Sequence, residues 1–247
     1  LSIKDLKTDG FEAALVTDAV KSAGHILVAE GRSRHRRRFS IGHELGHFLI
    51  PAHRMSADVP LLCSAEQLRL LDTKDQDRRR QMEAEANRFA ALLLLPPPIL
   101  RAELRKIRQP GLKDIVDLAN LFDVSKEAMA RAYVEHCGDA VAIVVIKKGK
   151  VLRYHRNEKH FPWIDVRYGQ PVPEGSLWHE GTRFAGEITE VKDCEPGHWI
   201  GPSQIRKVLA LTEQILEQVA DHALLLLRAE MRDDDDQDFA ASSDRWR

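Results

Sequence analysis

The stretch "RRRFSIGHELGHFLIP", Arg36 to Pro51, holds two histidines four residues apart with a glutamate directly after the first. Phe39, Ile41, Leu45, Phe48 and Leu49 recur at helical spacing, Ser40 stands where an N-cap belongs and Pro51 closes the run, so a helix is expected. Side chains four apart on a helix project from one face, which lets His43 and His47 reach one metal ion. Glu44 could then address a water on that ion without being a ligand. Chance can also put HExxH on a solvated helix of a histidine-rich chain. Against chance stand the apolar remainder of the helix and Gly46, which brings no side chain and suits a helix buried under a cleft. What the pentapeptide lacks is a third ligand, since a catalytic zinc site uses three protein ligands and leaves one position to water.

A second helix supplies it. "DRRRQMEAEANRFAALLLL", Asp77 to Leu95, is the strongest helical pattern in the chain, ended by Pro96, Pro97 and Pro98. Glu83 and Asn87 share one face of it, so a carboxylate ligand is followed one turn later by an amide oxygen. That oxygen can fix the second ring nitrogen of a metal-bound histidine. Glu85 points to a different face and is the poorer candidate, although spacing alone does not exclude it.

Together, "RFSIGHELGHFLI" and "EAEANRFAALLLLP" resemble the ImmA/IrrE family of zincin-like metallopeptidases. The resemblance covers residues from about 10 to 137. It implies a gluzincin-type arrangement, with His43, His47 and Glu83 as ligands of zinc (alternatively manganese) and Glu44 as the catalytic base. It also implies a partner, a helix-turn-helix repressor that is cut to relieve repression in stress response or mobile-element and toxin–antitoxin control. Two departures are visible: Asn87 stands where many gluzincins carry Asp, and "LLLLPPP" replaces the commoner "LLMP".

The rest of the chain is read around this centre. With 37 Lys and Arg against 38 Asp and Glu, the formal charge of -1 singles out neither a nucleic-acid binder nor an acidic carrier. Cys63, Cys137 and Cys194 form no CxxC pair, which argues against a cysteine-type zinc site and a disulfide scaffold and suits a reducing cytosol. Apolar runs are too short to span a bilayer and no signal peptide opens the chain, so a cytoplasmic protein is expected; an opening Leu1 allows for a segment missing before it.

The fold class expected is α+β: a mostly helical zincin-like core (1–111), a helix-turn-helix-like unit (112–137), a smaller mixed domain of regulatory type (138–231) and an acidic disordered tail (232–247). Residues 10–24 read as a short amphipathic helix, "HILVAE" (25–30) as a strand on whose edge a peptide could be added, and 52–77 as loop with some helix. "AVAIVVIKKGKVLRYHR" reads as strands around a turn, and "SLWHEGTRFAGEITEVKD" continues the β-rich character. Residues 203–231 read as helix, with an apolar stripe fit for packing or homodimerisation. Direct DNA binding through 112–136 has little support, because only Lys126 and Arg131 are basic on the second helix and Glu127 opposes them. The basic run "RSRHRRRF" (32–39) reads as a loop, either solvated or able to hold phosphates or acidic parts of a protein substrate. His53 is close enough to the metal helix in sequence to be a site residue, but reads rather as a loop histidine; His155, His160, His179 and His198 lack ligand spacing, and Trp163, Trp178 and Trp199 belong to core or pocket walls. The rival functions are a non-catalytic zincin-fold regulator that binds a repressor or toxin, and a DNA-binding transcription factor.

Overall fold

A computed structural model describes residues 1–53, 61–65, 68 and 77–232 of the chain. Most of the segment expected to be loop with some helix, and residues 233–247 of the acidic tail, lie outside the described residues. Among those described, the architecture is α+β, with two sheets, and no helix is long and apolar enough to cross a membrane. The chain divides into two compact units, Leu1–Leu100 with Phe122–Ser125, and Arg101–Leu121 with Lys126 onward.

The first unit has a four-stranded sheet ordered β1-β3-β2-β4, from β1 (Ser2–Leu6), β2 (Ala13–Thr17), β3 (Gly24–Ala29) and β4 (Leu61–Cys63). β1 runs parallel to β3, and β2 runs antiparallel to both β3 and β4. Residues 10–24 are therefore not helical. Leu15, Val16 and Thr17 suit a strand, and the chain turns at Asp18, whose carboxylate accepts from the Ser22 backbone N–H at 2.9 Å. The strand over "HILVAE" is present as β3, but it is flanked on both sides and offers no edge for an added peptide. Ile41, Leu45 and Phe48 of α1 (Arg34–Leu49) pack on Leu15, Ile26 and Val28 of this sheet.

α1 begins earlier than expected. Its N-cap is Ser33, whose hydroxyl accepts from Arg36 N–H at 3.3 Å, while Ser40 is buried inside the helix. Arg34 to Phe39 of the basic run thus form the first turns of α1, because arginine is a good helix former and Ser33 is an equally good cap. Cations at a helix N-terminus are unfavourable, and partners within the unit offset them. Glu12 pairs with Arg32 and Arg36, both at 3.2 Å, and Asp5 with Arg37 at 3.0 Å. Asp123 takes Arg34 at 2.7 Å, Arg38 at 2.9 Å and His35 at 3.3 Å.

α2 (Arg78–Leu94) is capped by Asp77, whose side chain accepts from Arg79 N–H at 2.9 Å, and the prolines that end it open α3 (Pro97–Leu104). α1 and α2 approach closely through small residues. A Cβ on Gly46 would lie 3.2 Å from Ala86 Cα and from Phe89 Cβ, and one on Gly42 would lie 3.2 Å from Ala90 Cβ.

In the second unit, α4 (Leu112–Phe122) and α5 (Lys126–His136) precede a five-stranded sheet ordered β6 (Lys150–Arg156), β5 (Val141–Lys147), β9 (His222–Met231), β8 (Val208–Glu217) and β7 (Lys192–Cys194). Between the helices Asp123 has φ of 52°, the left-handed turn conformation that aspartate tolerates. β5 (Val141–Lys147) and β6 (Lys150–Arg156) form the expected hairpin, with positive φ at Lys148 and Gly149. β7 (Lys192–Cys194) is short, and most of "SLWHEGTRFAGEITEVKD" is irregular.

The largest correction falls on 203–231, expected as helix and found as β8 (Val208–Glu217) and β9 (His222–Met231). The hairpin excludes the single apolar helix stripe proposed for dimerisation. β9 pairs with both β5 and β8, and Ala223 to Leu227 are all buried. A strand covered on both faces shows a continuous apolar run, which periodicity cannot tell from a buried helix, and leucine-rich composition tips the reading to helix. Its core gathers around Trp199, which is fully buried with Phe161 and Ile164.

Candidate metal centre

The close packing of α1 on α2 brings the two sequence motifs together. His43, Glu44 and His47 are completely buried, Glu83 is 2% exposed, and all four sit on the faces that the helices turn to each other. Glu83 Oε2 lies 3.3 Å from His43 Nε2 and 3.7 Å from His47 Nε2, and the two Nε2 atoms are 3.0 Å apart. Cys63 joins them from β4: one donor atom from each of His43, His47, Cys63 and Glu83 falls within 4.8 Å of the others.

The hydrogen-bonded surroundings fix how the ring nitrogens face. His43 Nδ1 is 2.8 Å from Asn87 Oδ1. An amide oxygen only accepts, so Nδ1 donates and the Nε2 lone pair turns to the cluster. His47 Nδ1 lies 3.0 Å from His53 Nδ1, and His53 Nε2 lies 2.8 Å from Glu85 Oε2. Read from the carboxylate inward, His53 donates Nε2–H to Glu85 and accepts His47 Nδ1–H, which leaves His47 Nε2 free as a donor to an ion. This is how ligating histidines are held. Lys21 fastens the end of α1 by donating to the carbonyls of His47 at 2.6 Å and Ile50 at 2.7 Å.

Electrostatics suit a cation. Burial alone would raise the Glu83 pKa, but hydrogen bonds from His43 and His47 bring it down to about 2. Burial lowers His47 to about 4, so it is a neutral imidazole at pH 7. Burial pushes the Cys63 thiol up, and the Glu44 and Glu83 carboxylates add to the shift. Glu44 is raised to about 8, mainly by burial, with Cys63 acting the other way and Glu83 adding to it. Cys63 lies beside Glu44, yet neither carboxylate oxygen of Glu44 has a partner at hydrogen-bonding geometry among the described residues. A buried carboxylate so placed is costly, and a water on a neighbouring cation would satisfy it. Two imidazole nitrogens, a carboxylate and a thiol form a donor set that zinc accepts. The residues fit the ion.

The four residues chosen from sequence as ligands and base, together with Asn87, thus lie in one cluster. Three further residues stand at the cluster in roles that sequence reading did not assign to them. His53, set aside as a loop histidine, is fully buried against His47; its only signal was its position just past the Pro51 turn. Glu85 does point away from the cluster, but it does so to hold His53. Cys63 carried no signal, because a lone cysteine with no ligand spacing reads as core.

The second unit joins the comparison at the level of fold. A solved structure described as a Mycobacterium tuberculosis transcriptional regulator superposes with a TM-score of 0.50 at 13% identity, covering 92% of this chain and 66% of its own. This chain therefore spans slightly less than two thirds of that protein, and at such identity the likeness concerns fold alone. No curated protein matches the chain. A family model, the IrrE N-terminal-like domain, matches residues 6–133, a span that contains α1, β4, α2 and every residue of the cluster. The chain belongs to the Peptidase_M78 family of IrrE N-terminal-like domains.

Proposed function

We propose that the chain is a metal-dependent endopeptidase of zincin-like, gluzincin type, acting inside the cell on a helix-turn-helix regulatory protein. His43, His47 and Glu83 would hold the ion, zinc in the first instance with manganese as the alternative. When bound, a divalent ion supplies Lewis acidity towards water and towards a peptide carbonyl. Glu44 accepts a proton from the attacking water and returns it to the departing amine nitrogen. Burial raises the Glu44 carboxyl to about 8 in the metal-free protein, and a cation beside it would favour the carboxylate that accepts the proton. Asn87 and the His53–Glu85 pair orient the two imidazoles. The observation that carries the reading is the Glu44 carboxylate, fully buried beside the ligand cluster with no hydrogen-bonded partner among the described residues.

Among the described residues β1 and β4 are the outer strands of the first sheet, and Cys63 brings β4 to the cluster. An extended peptide segment would therefore be added along β4, its main chain supplying the hydrogen bonds. The repressor as target rests on the family, whose helix-turn-helix partners have the chemistry expected of a narrow regulatory substrate. DNA binding by this chain is disfavoured by the internal pairing of the basic run with Glu12, Asp5 and Asp123. The test is the Glu44→Gln variant, co-expressed with helix-turn-helix regulators of the source genome and read by mass spectrometry of the fragments. Cleavage that survives the substitution contradicts the peptidase reading.

One observation favours a second reading. With Cys63 as a fourth ligand the ion would have no position left for water, as in structural zinc sites. The first unit would then be a binding platform for its partner. Cobalt(II) substitution separates the two: a thiolate-to-cobalt charge-transfer band that disappears in Cys63→Ser marks the closed site, and its absence marks the open one.

A further inference from the structure

The second unit contains a cavity of about 720 Å³ between the C-terminal half of α5, the edge strand β6 and the loop that follows β6. This is the size range of small-molecule sites. Its walls are of two kinds. Arg101, Arg131, Arg156 and Lys159 supply four permanent cations against the two carboxylates of Glu135 and Glu158. Tyr154, Trp163 and Tyr168 supply an aromatic wall: the Tyr154 ring lies 5.2 Å from that of Tyr168 and 6.4 Å from that of Trp163.

Arg131 is the informative residue. Its side chain is half-buried, and burial holds its pKa below the usual guanidinium value. Glu135 and Glu127 act on it only through the field, with no ion pair made to either among the described residues. Glu127 is engaged by Arg153 at 2.6 Å instead. A half-buried guanidinium that lines a cavity and makes no ion pair among the described residues keeps its donors available to an anion there. Arg156 is occupied otherwise, donating to the Phe161 carbonyl at 3.0 Å and lying 5.2 Å above the Trp163 ring, which braces the aromatic wall. The carbonyls at the end of α5 do not repel an anion unopposed, because Asn157 Nδ2 donates to Cys137 O at 2.9 Å and to Asp139 O at 3.3 Å. Trp163 is 54% and Tyr168 61% exposed, so aromatic surface remains open to a ligand.

We propose that this cavity binds a small anion with a planar aromatic part, of the nucleotide class, with its phosphate on Arg131 and its ring against Trp163 and Tyr168. The site is separate from the metal cluster and does not depend on the peptidase reading. It gives the second unit a ligand to sense.

Isothermal titration of the full chain with AMP, adenosine and inorganic phosphate tests it. AMP should bind one per chain, at least about tenfold tighter than either fragment, because charge-assisted contacts and stacking add. Arg131→Gln should weaken AMP by about tenfold or more, and Trp163→Ala should weaken AMP and adenosine while leaving phosphate unchanged. Should Arg131→Gln fail to fold by circular dichroism, the exposed Arg101→Gln carries the same expectation. Absence of AMP binding, or AMP binding untouched by both the arginine and the Trp163 variants, overturns the proposal. A single-stranded oligonucleotide that binds far tighter than AMP, with a steep salt dependence, also overturns it and replaces the small ligand by nucleic acid.

Discussion

His43 Nδ1 stands 2.8 Å from the side-chain oxygen of Asn87, one helical turn beyond Glu83 on α2. One face of α2 thus provides both a ligand for the ion and the group that orients another ligand. Asn87→Ala should lower zinc affinity by about 10–100-fold, read by competition with a chromogenic chelator. Asn87→Asp, which still accepts the bond, should not. Equal affinities in all three proteins would show that the contact does not orient His43.

The same logic runs through His53. His53→Ala removes the acceptor of His47 Nδ1–H and should also cost about 10–100-fold in zinc affinity. Because Glu85 is exposed, with its side chain 57% accessible, Glu85→Gln should cost less. A His53→Ala variant that binds zinc as the parent does would return His53 to the role of a packed loop residue.

Burial holds the Glu44 carboxyl at about 8 in the folded chain, against the ordinary glutamate value of 4.5. Its raised pKa means that the metal-free folded state binds more protons than the unfolded state between these values. Stability of the metal-free protein should therefore fall as pH rises from about 4.5 to 8. Glu44→Gln removes this contribution, so its melting temperature should exceed that of the metal-free parent at pH 8 and match it near pH 4.5. A gap that does not change with pH would contradict the assignment.

Gly46 sets the separation of α1 from α2, since a Cβ there already meets Ala86 and Phe89 at 3.2 Å. Gly46→Val should destabilise the protein by about 1–3 kcal/mol, measured by urea unfolding. It should also weaken zinc binding, because pushing the helices apart draws Glu83 away from His43 and His47. Unchanged metal affinity in a destabilised variant would show that the cluster adapts to the helix spacing.

In the second unit, Glu213 is buried and accepts from Ser176 Oγ at 2.9 Å, from Leu177 N–H at 2.6 Å and from the Trp199 indole. Glu213→Ala strands these donors around the core tryptophan and should cost about 3 kcal/mol or more. Chemical denaturation followed by tryptophan fluorescence reads this. A loss below about 1 kcal/mol would mean that water replaces the carboxylate.

The site was legible where chemistry is tied to helical spacing. His43, Glu44 and His47 on α1 and Glu83 with Asn87 on α2 follow from the four-residue period, once both segments are recognised as helices. Cys63 and His53 reach the cluster from a short strand and a turn, whose placement depends on the sheet rather than on local pattern. The α+β class was legible too, but individual strands were not. β2 was hidden by its alanines and β9 by its leucines, and in both cases pairing with neighbouring strands overrode local propensity. The basic stretch at the start of α1 read as a free cationic loop because its partners, Glu12, Asp5 and Asp123, are remote in sequence.

The most direct measurement is the metal content of the purified full chain after equilibration with zinc and removal of loosely bound ions, beside a Glu83→Ala variant. The account predicts about one zinc per chain in the parent and a marked loss in the variant, both proteins being folded. A folded parent that retains no zinc, or a Glu83→Ala variant that retains as much as the parent, would contradict the three-residue centre on which the proposed chemistry depends.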